Sequence, residues 1–324
     1  MQLAEQGKLD IDQPLAFAPP PIFHQDKLPE CCTGNATQHH VPPLRPALEL
    51  PVCLFVQEPD RFDSVANSIL AFPPNYVFSY SNLGMALLEA TVQEVSGEPF
   101  DGFMHKHFSK PLGMTQCSFA TRPIAKSYDQ EIEVFSMRGM PAANLLSNVV
   151  DLGQFLKMQF ADGMAGQHQV LIPASTREFV RIQNKDFPLT FGQYVGLGWM
   201  MSGIDASGGG SVASHGGSLP DSHSTMAILP DHKLGMIELP DSSTSHVAVS
   251  KIVTEALRLI LEAKTGIYQE SAPASSAGER APTSAELRQF DGNFDTILGL
   301  ARISTKTARL TLTPQAICFA LSRT

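Results

Sequence analysis

The stretch that decides how this chain is read runs from Phe72 to Gly97, FPPNYVFSYSNLGMALLEATVQEVSG. Its opening residues carry two prolines and no periodicity, so they read as a loop. From Asn82 onward, Met85, Leu88, Val92 and Val95 recur at helical spacing and predict a helix with one apolar stripe. Ser81 or Asn82 can cap its N-terminus, because a short polar side chain accepts the amides that a first helical turn leaves unpaired. Gly97 and Pro99 stop it. Tyr80-Ser81-Asn82 therefore stands at the mouth of a helix.

Working outward, Pro111 to Phe119 (PLGMTQCSF) precedes Ala142 to Phe160 (AANLLSNVVDLGQFLKMQF). The second segment reads as a helix capped by Ser147 or Asn148, with Leu152, Phe155 and Leu156 inward. Gly196-Leu197-Gly198-Trp199 then leads to a glycine-rich hairpin at Gly208 to Gly210. Strand-like runs follow at Val212 to His215, Ser224 to Leu229 and Leu234 to Leu239, with Pro230-Asp231 as the turn between the last two. His215-Gly216-Gly217 closes the first of them. A helix is expected from about Val247 to Ala263, with Val249, Ile252, Val253, Ala256 and Ile260 on one face. The order is a helix-rich middle, then antiparallel strands, then a long helix.

Composition narrows the function classes. The 324 residues carry 43% hydrophobic and 17% charged side chains, as a folded globular chain does. A net charge of -9 and a pI near 5.5 exclude a nucleic-acid partner, since neutralising phosphates takes clustered Lys and Arg. No apolar run approaches the ~18–20 residues that span a bilayer. The five cysteines, Cys31, Cys32, Cys53, Cys117 and Cys318, are odd in number and irregularly spaced, so they make no disulfide framework. Cys31-Cys32 near His39-His40 has the wrong spacing for zinc, and no metal is expected. Asn35-Ala36-Thr37 fits a glycosylation sequon by pattern.

The ends and the proline-rich segment read differently. MQLAEQGKLD lacks a basic start and an apolar core, so it is not a signal peptide, and the chain as it stands reads as cytoplasmic. Met1, Leu3, Ala4 and Leu9 suggest the end of a helix whose beginning is missing, stopped at Gly7. Residues 19 to 55, punctuated by prolines such as Pro19, Pro20, Pro21, Pro42, Pro43 and Pro46, have neither period. Residues 266–284 are rich in Ser, Ala and Pro and read as a linker. Residues 285–324 show short alternating runs, such as Ala308 to Thr313 and Ala316 to Leu321.

A Tyr-x-Asn turn opening a helix, with a Lys/His-x-Gly strand far downstream, resembles the serine β-lactamase and penicillin-binding-protein superfamily. Within it, Tyr-Ser-Asn with His-Gly-Gly is most similar to β-lactamase-related and family VIII carboxylesterase-like hydrolases. The resemblance implies an α/β, penicillin-recognising (β-lactamase/transpeptidase-like) fold. That is an antiparallel sheet flanked by helices, with an inserted helical lobe and a short β-rich C-terminal tail. It divides the chain into a domain at 1–265, N-terminally incomplete, the linker at 266–284 and a partial β-barrel-like tail at 285–324.

The resemblance also assigns roles. Tyr80 would shuttle the proton, Asn82 would orient the substrate carbonyl, and His215 would open the strand motif. Ser81, Gly216, Gly217 and Ser218 would bind substrate, the glycines because a side chain would block the strand edge. The backbone N–H near Ser218 would serve as an oxyanion donor. A phenol titrates near ~10, so a base role for Tyr80 at neutral pH needs a nearby cation. The family's Ser-x-x-Lys, which supplies nucleophile and base, occurs nowhere in the 324 residues. Ser79, Ser81 and Ser218 lie near the inferred cleft, with His215 or His223 as conceivable helpers and Asp221 close by. Two readings stand: a serine hydrolase acting on a small ester, lactone or amide, and a non-catalytic or truncated protein that binds acyl ligands. Neither calls for a cofactor, and the missing helix start together with the open strands of the tail makes self-association possible.

Overall fold

A computed structural model describes residues 1–13, 74–119, 144–201, 206–219, 222–242 and 244–269, with isolated positions between them. In the tail it describes 291–296, 299–306 and 309–314. Residues 19 to 55, Asp221, most of the 266–284 segment and the run from Ala316 to Leu321 lie outside the described residues, with Asn35 and Cys31, Cys32, Cys53 and Cys318.

Helix α1 is a single turn, Gln2–Glu5, that ends before Gly7 at φ 66°. Leu3 is buried, and the Gln2 amide donates to the carbonyls of His107 and Val170 at 2.8 and 3.0 Å. Helix α2 runs from Asn82 to Ser96. Ser81, extended at φ -141°, is the cap: its Oγ accepts from the Gly84 amide at 2.9 Å. Gly97 ends the helix in the left-handed region at φ 70°, which costs a glycine nothing. Burial on α2 departs from the expected stripe. Leu87, Glu89, Ala90 and Thr91 are the deeply buried positions, whereas Met85, Leu88, Val92 and Val95 are half-buried. Positions 87 to 91 circle the helix, so α2 is packed on more than one side and no single stripe describes it.

Helix α3 (Phe100–Met104) continues into a wider π-helical turn at His105–Ser109. Helix α4 runs from Val149 to Phe160. Asn148 rather than Ser147 caps it, accepting from the amides of Val150 and Asp151, both at 2.9 Å. Leu156 and Met158 are buried, and the Phe155 ring stacks on Trp199 with centroids 6.3 Å apart. A two-residue hairpin, β1 (Met164–Ala165) and β2 (His168–Gln169), and helix α5 (Pro173–Phe179) complete this helical layer.

The sheet is antiparallel in the order β3-β4-β5, with β3 Ala213–Ser218, β4 His223–Leu229 and β5 Leu234–Glu238. Pro230–His232 turns the chain between β4 and β5, closed by Lys233 at φ 52°. Strand β3 extends past His215 through both glycines, because pairing with β4 supplies what the local propensity of Gly-Gly-Ser lacks. Each face of the sheet is covered. Helix α6 (His246–Thr265) packs Val249, Val253, Leu257 and Leu261 against Ala227 and Leu229. Burying side chains of that size contributes about 1.5–3 kcal/mol each. This corrects the expected face: Ile252 and Ile260 are 49% and 40% exposed. On the opposite face Ala213 and Ile228 meet Trp199 and Leu156 of the helical layer. Gly235 lies against this layer, where a Cβ would stand 2.7 Å from Leu156 Cδ1.

The tail forms a separate three-stranded antiparallel sheet, β6 (Gly292–Thr296), β7 (Gly299–Lys306) and β8 (Arg309–Pro314), in that order. Among the described residues no helix is long and apolar enough to cross a membrane.

Candidate active site

Two elements bring the two motifs face to face. Tyr80 is the last residue before the Ser81 cap, and Asn82 is the first residue of α2. His215 is the third residue of β3. Side chains alternate along a strand, so His215 shares a face with Ala213, the face that meets the helical layer. There the rings of Tyr80 and His215 approach to 6.2 Å between centroids, tilted by 37°. Residues 135 positions apart in the chain are thus brought side by side.

The edge of β3 is defined by its neighbours. Ser214 exchanges hydrogen bonds with Met200, at 2.7 and 2.8 Å, on the side away from β4. Leu219 bonds instead to Ser222, on the β4 side. The alternation places the amides of Gly216 and Ser218 on the same edge as Ser214. Gly216, Gly217 and Ser218 are all exposed. The glycines answer to a second demand as well. A Cβ on Gly216 would stand 2.8 Å from the Ser224 carbonyl oxygen, and one on Gly217 would stand 2.8 Å from Ser224 Oγ.

The serines separate by position. Ser81 is 2% exposed and its hydroxyl is committed to the Gly84 amide. Ser218 pairs with His223 across the strands, on the sheet face opposite His215. Its place at the cleft edge is therefore through its amide. Ser79 is half-buried and adjoins Tyr80.

Burial disfavours the charged form of both rings. Burial raises the Tyr80 phenol above its ordinary value. Burial lowers the His215 imidazole below its ordinary value, partly offset by its hydrogen bond with the Gly216 backbone. The pair thus offers a phenolic proton to give and an imidazole able to accept one, which is the reverse of a phenolate base.

The sequence reading passed over the segment that ties the walls together. Leu189 bonds to Tyr76 and Phe78 on one side, at 3.1 and 2.9 Å, just ahead of Tyr80. Met201 bonds to the Tyr194 carbonyl at 2.7 Å, next to the Met200–Ser214 pair beside His215. No local signal marks it, because Phe191, at φ 53°, is not a residue that a turn of positive φ selects. A concavity of about 340 Å³ lies elsewhere, lined by Asp101, His105, Cys117, Ser118 and Phe119, none of which belongs to either motif. Among the described residues no group of three or more His, Cys, Asp or Glu could hold a metal ion.

Comparison with known proteins gives the family. The sequence model described as Beta-lactamase matches residues 1–251. The chain is 23% identical over 257 residues to the D-alanyl-D-alanine-carboxypeptidase/endopeptidase AmpH of Escherichia coli (strain K12). That match covers 72% of this chain and 65% of the relative, so the chain spans slightly less than two thirds of that protein's length. Among solved structures, SurE with D-Leu superposes with a TM-score of 0.66 at 22% identity, covering 98% of this chain and 71% of that one. A class C β-lactamase from Rhodobacter sphaeroides superposes with a TM-score of 0.60 at 17% identity, covering 81% of each chain. At such identities these likenesses show the fold, which is the expected β-lactamase/transpeptidase-like one. With the family match extending over more than three quarters of its length, this chain belongs to the β-lactamase family.

Proposed function

We propose that this chain is a hydrolase of the β-lactamase type, acting by acyl transfer on a small ester, lactone or amide. The contact between the Tyr80 and His215 rings carries this reading, because it makes one cleft out of two motifs. The substrate carbonyl would lie along the β3 edge, its oxygen facing the amides of Gly216 and Ser218, with Asn82 orienting it. Tyr80, held neutral, would donate its proton to the departing oxygen or nitrogen, and His215 would accept one. Family membership supports serine-hydrolase chemistry in general, and Ser79, whose hydroxyl is not the α2 cap, would be the candidate nucleophile. We take 1–265 as the domain that carries the cleft, 266–284 as a linker and 285–324 as a β-rich tail.

The second reading is a protein that binds acyl ligands in this cleft without turning them over. The absence of Ser-x-x-Lys from the sequence favours it. Intact-protein mass after incubation with a fluorophosphonate or a penicillin decides between the two. One equivalent of adduct mapped to a cleft serine is the outcome expected of the hydrolase. Binding without adduct assigns the chain to the second reading, and neither binding nor adduct removes both.

A further inference from the structure

The β3-β4-β5 sheet has two edges, and they differ in what meets them. The β3 edge carries the motif glycines and is bridged by Met200 at Ser214. The β5 edge has no strand against it among the described residues. The His223 amide donates to the Pro240 carbonyl at 3.2 Å. By alternation, Thr225–Glu238, Ala227–Met236 and Leu229–Leu234 are then the bonded pairs between β4 and β5. The amides and carbonyls of the residues between them, Gly235, Ile237 and Leu239, therefore point outward along the edge. Such an edge is a template for another strand, and folded chains ordinarily blunt it with proline, lysine or a bulge. The run from Leu234 to Leu239 has no proline and no lysine, and its register with β4 is unbroken.

Helix α6 adds an apolar flank on the same side. Ile252 and Leu259 are 49% and 65% exposed, although Val249, Val253, Leu257 and Leu261 bury the adjoining face. Chirality decides which way that flank looks. His223 shares the α6 side of the sheet with Ala227 and directs its amide to β5. Seen from α6 with β4 rising, an L-residue facing the viewer directs its amide to the right, so β5 lies on the right. Helix α6 rises as well, because Lys264 Nζ in its last turn reaches the His232 carbonyl at the β4–β5 turn, at 2.6 Å. A right-handed helix rising with 249, 253, 257 and 261 against the sheet turns 252, 256, 259 and 263 to the right. All four are apolar, Ile252, Ala256, Leu259 and Ala263, and they overhang the open edge.

We infer that this surface is where a second copy of the chain docks, β5 against β5 and α6 against α6 about a two-fold axis. The edge is complementary to itself. An axis at Ile237 sets Ile237 against its own copy and Gly235 against Leu239 in antiparallel register, so every outward group finds a partner. The helices fit the same axis. Helix α6 rests on β4 and β5 together. At ~4.8 Å per strand, repeating both strands beyond the edge puts the two helices about 10 Å apart, the distance at which helices pack. Ile252 and Leu259 then meet their copies across the seam. The pairing closes after two chains, because each copy's other sheet edge is its cleft.

Light scattering of the whole chain over about a hundredfold range of concentration tests it. A dimer that goes no further is expected. Leu259→Lys changes an exposed position, so it should leave the urea midpoint in place and weaken the dimer by at least about tenfold, the worth of one buried leucine. Lys251→Glu, on the flank away from the edge, should leave the dimer intact. In the unaltered chain, hydrogen exchange at the Ile237 amide should slow as the dimer fills, a readout that needs no variant. A monomer throughout overturns the inference, as do assemblies that keep growing with concentration. A dimer indifferent to Leu259→Lys, or one that leaves the Ile237 amide exchanging at the monomer's rate, uses another surface and overturns it as well.

Discussion

The two walls of the cleft solve the same problem by opposite means. Each must hold one ring in a fixed place. Tyr80 is placed by a local device, a single hydroxyl that caps α2 one residue later. His215 is placed by a distributed device, six register pairs between β3 and β4 and a bridge to Met200. The local device is compact and rests on one hydrogen bond. The distributed one survives the loss of any single bond, but it leaves no room for a side-chain carbon at Gly216, where the Ser224 carbonyl stands in the way. A site assembled from both depends on a cap at one wall and on the absence of side chains at the other.

The largest effect expected is on chemistry, where the walls act together. If the chain turns over a short-chain p-nitrophenyl ester, Tyr80→Phe should reduce the initial rate about 10²–10⁴-fold, the usual range for a lost proton donor. An unchanged rate would show that the turnover arises elsewhere and that the walls do not share one site.

Next come the holding devices themselves, compared by urea unfolding. Gly216→Ala should destabilise by about 1–3 kcal/mol, because the added carbon meets a backbone carbonyl that cannot swing aside. Gly217→Ala meets only the Ser224 hydroxyl, which rotates, and should cost less. Ser81→Ala should cost about 1 kcal/mol, the ordinary worth of an N-cap. A cap loss larger than the Gly216 loss would reverse the comparison, making the local device the one on which the fold depends more.

The smallest effect is electrostatic. The His215 imidazole sits below its ordinary value in the folded chain, so on acidification the unfolded chain takes up its proton first. The stability associated with His215 is therefore complete above the ordinary imidazole value of about 6.5 and is lost as pH falls from there through the lowered folded value. His215→Gln should flatten that part of the melting-temperature profile between pH 7 and 5. A variant profile parallel to the parent's would mean that the ring is not desolvated at this wall.

Legibility in the sequence followed the same local and distributed division. The α2 cap and its Gly97 stop, the β4–β5 turn and the extents of β4 and β5 were readable to within a residue, because each depends on neighbours in the chain. The buried face of α6 was not. Val249, Ile252, Val253, Ala256, Leu257, Leu259, Ile260 and Leu261 wrap more than half the helix, and only contact with β4 and β5 selects 249, 253, 257 and 261. The end of β3 was hidden for a related reason, since its glycines have no strand propensity of their own. For the site, the motif residues were legible by resemblance, whereas the serines were not separable by sequence. A cap bond and a strand face, not residue identity, distinguish Ser81 and Ser218 from Ser79. Phe191 carried no signal until its φ was known.

One buried ring gives the molecule a built-in reporter. Trp199 is the chain's single tryptophan, 4% exposed, stacked on Phe155 at the seam between the sheet and the helical layer. Light absorbed selectively by indole is therefore emitted from one known place. Its colour registers water entering that seam, and no second emitter blurs it. The junction between the helical layer and the sheet that carries His215 can thus be watched by its own fluorescence, without a label.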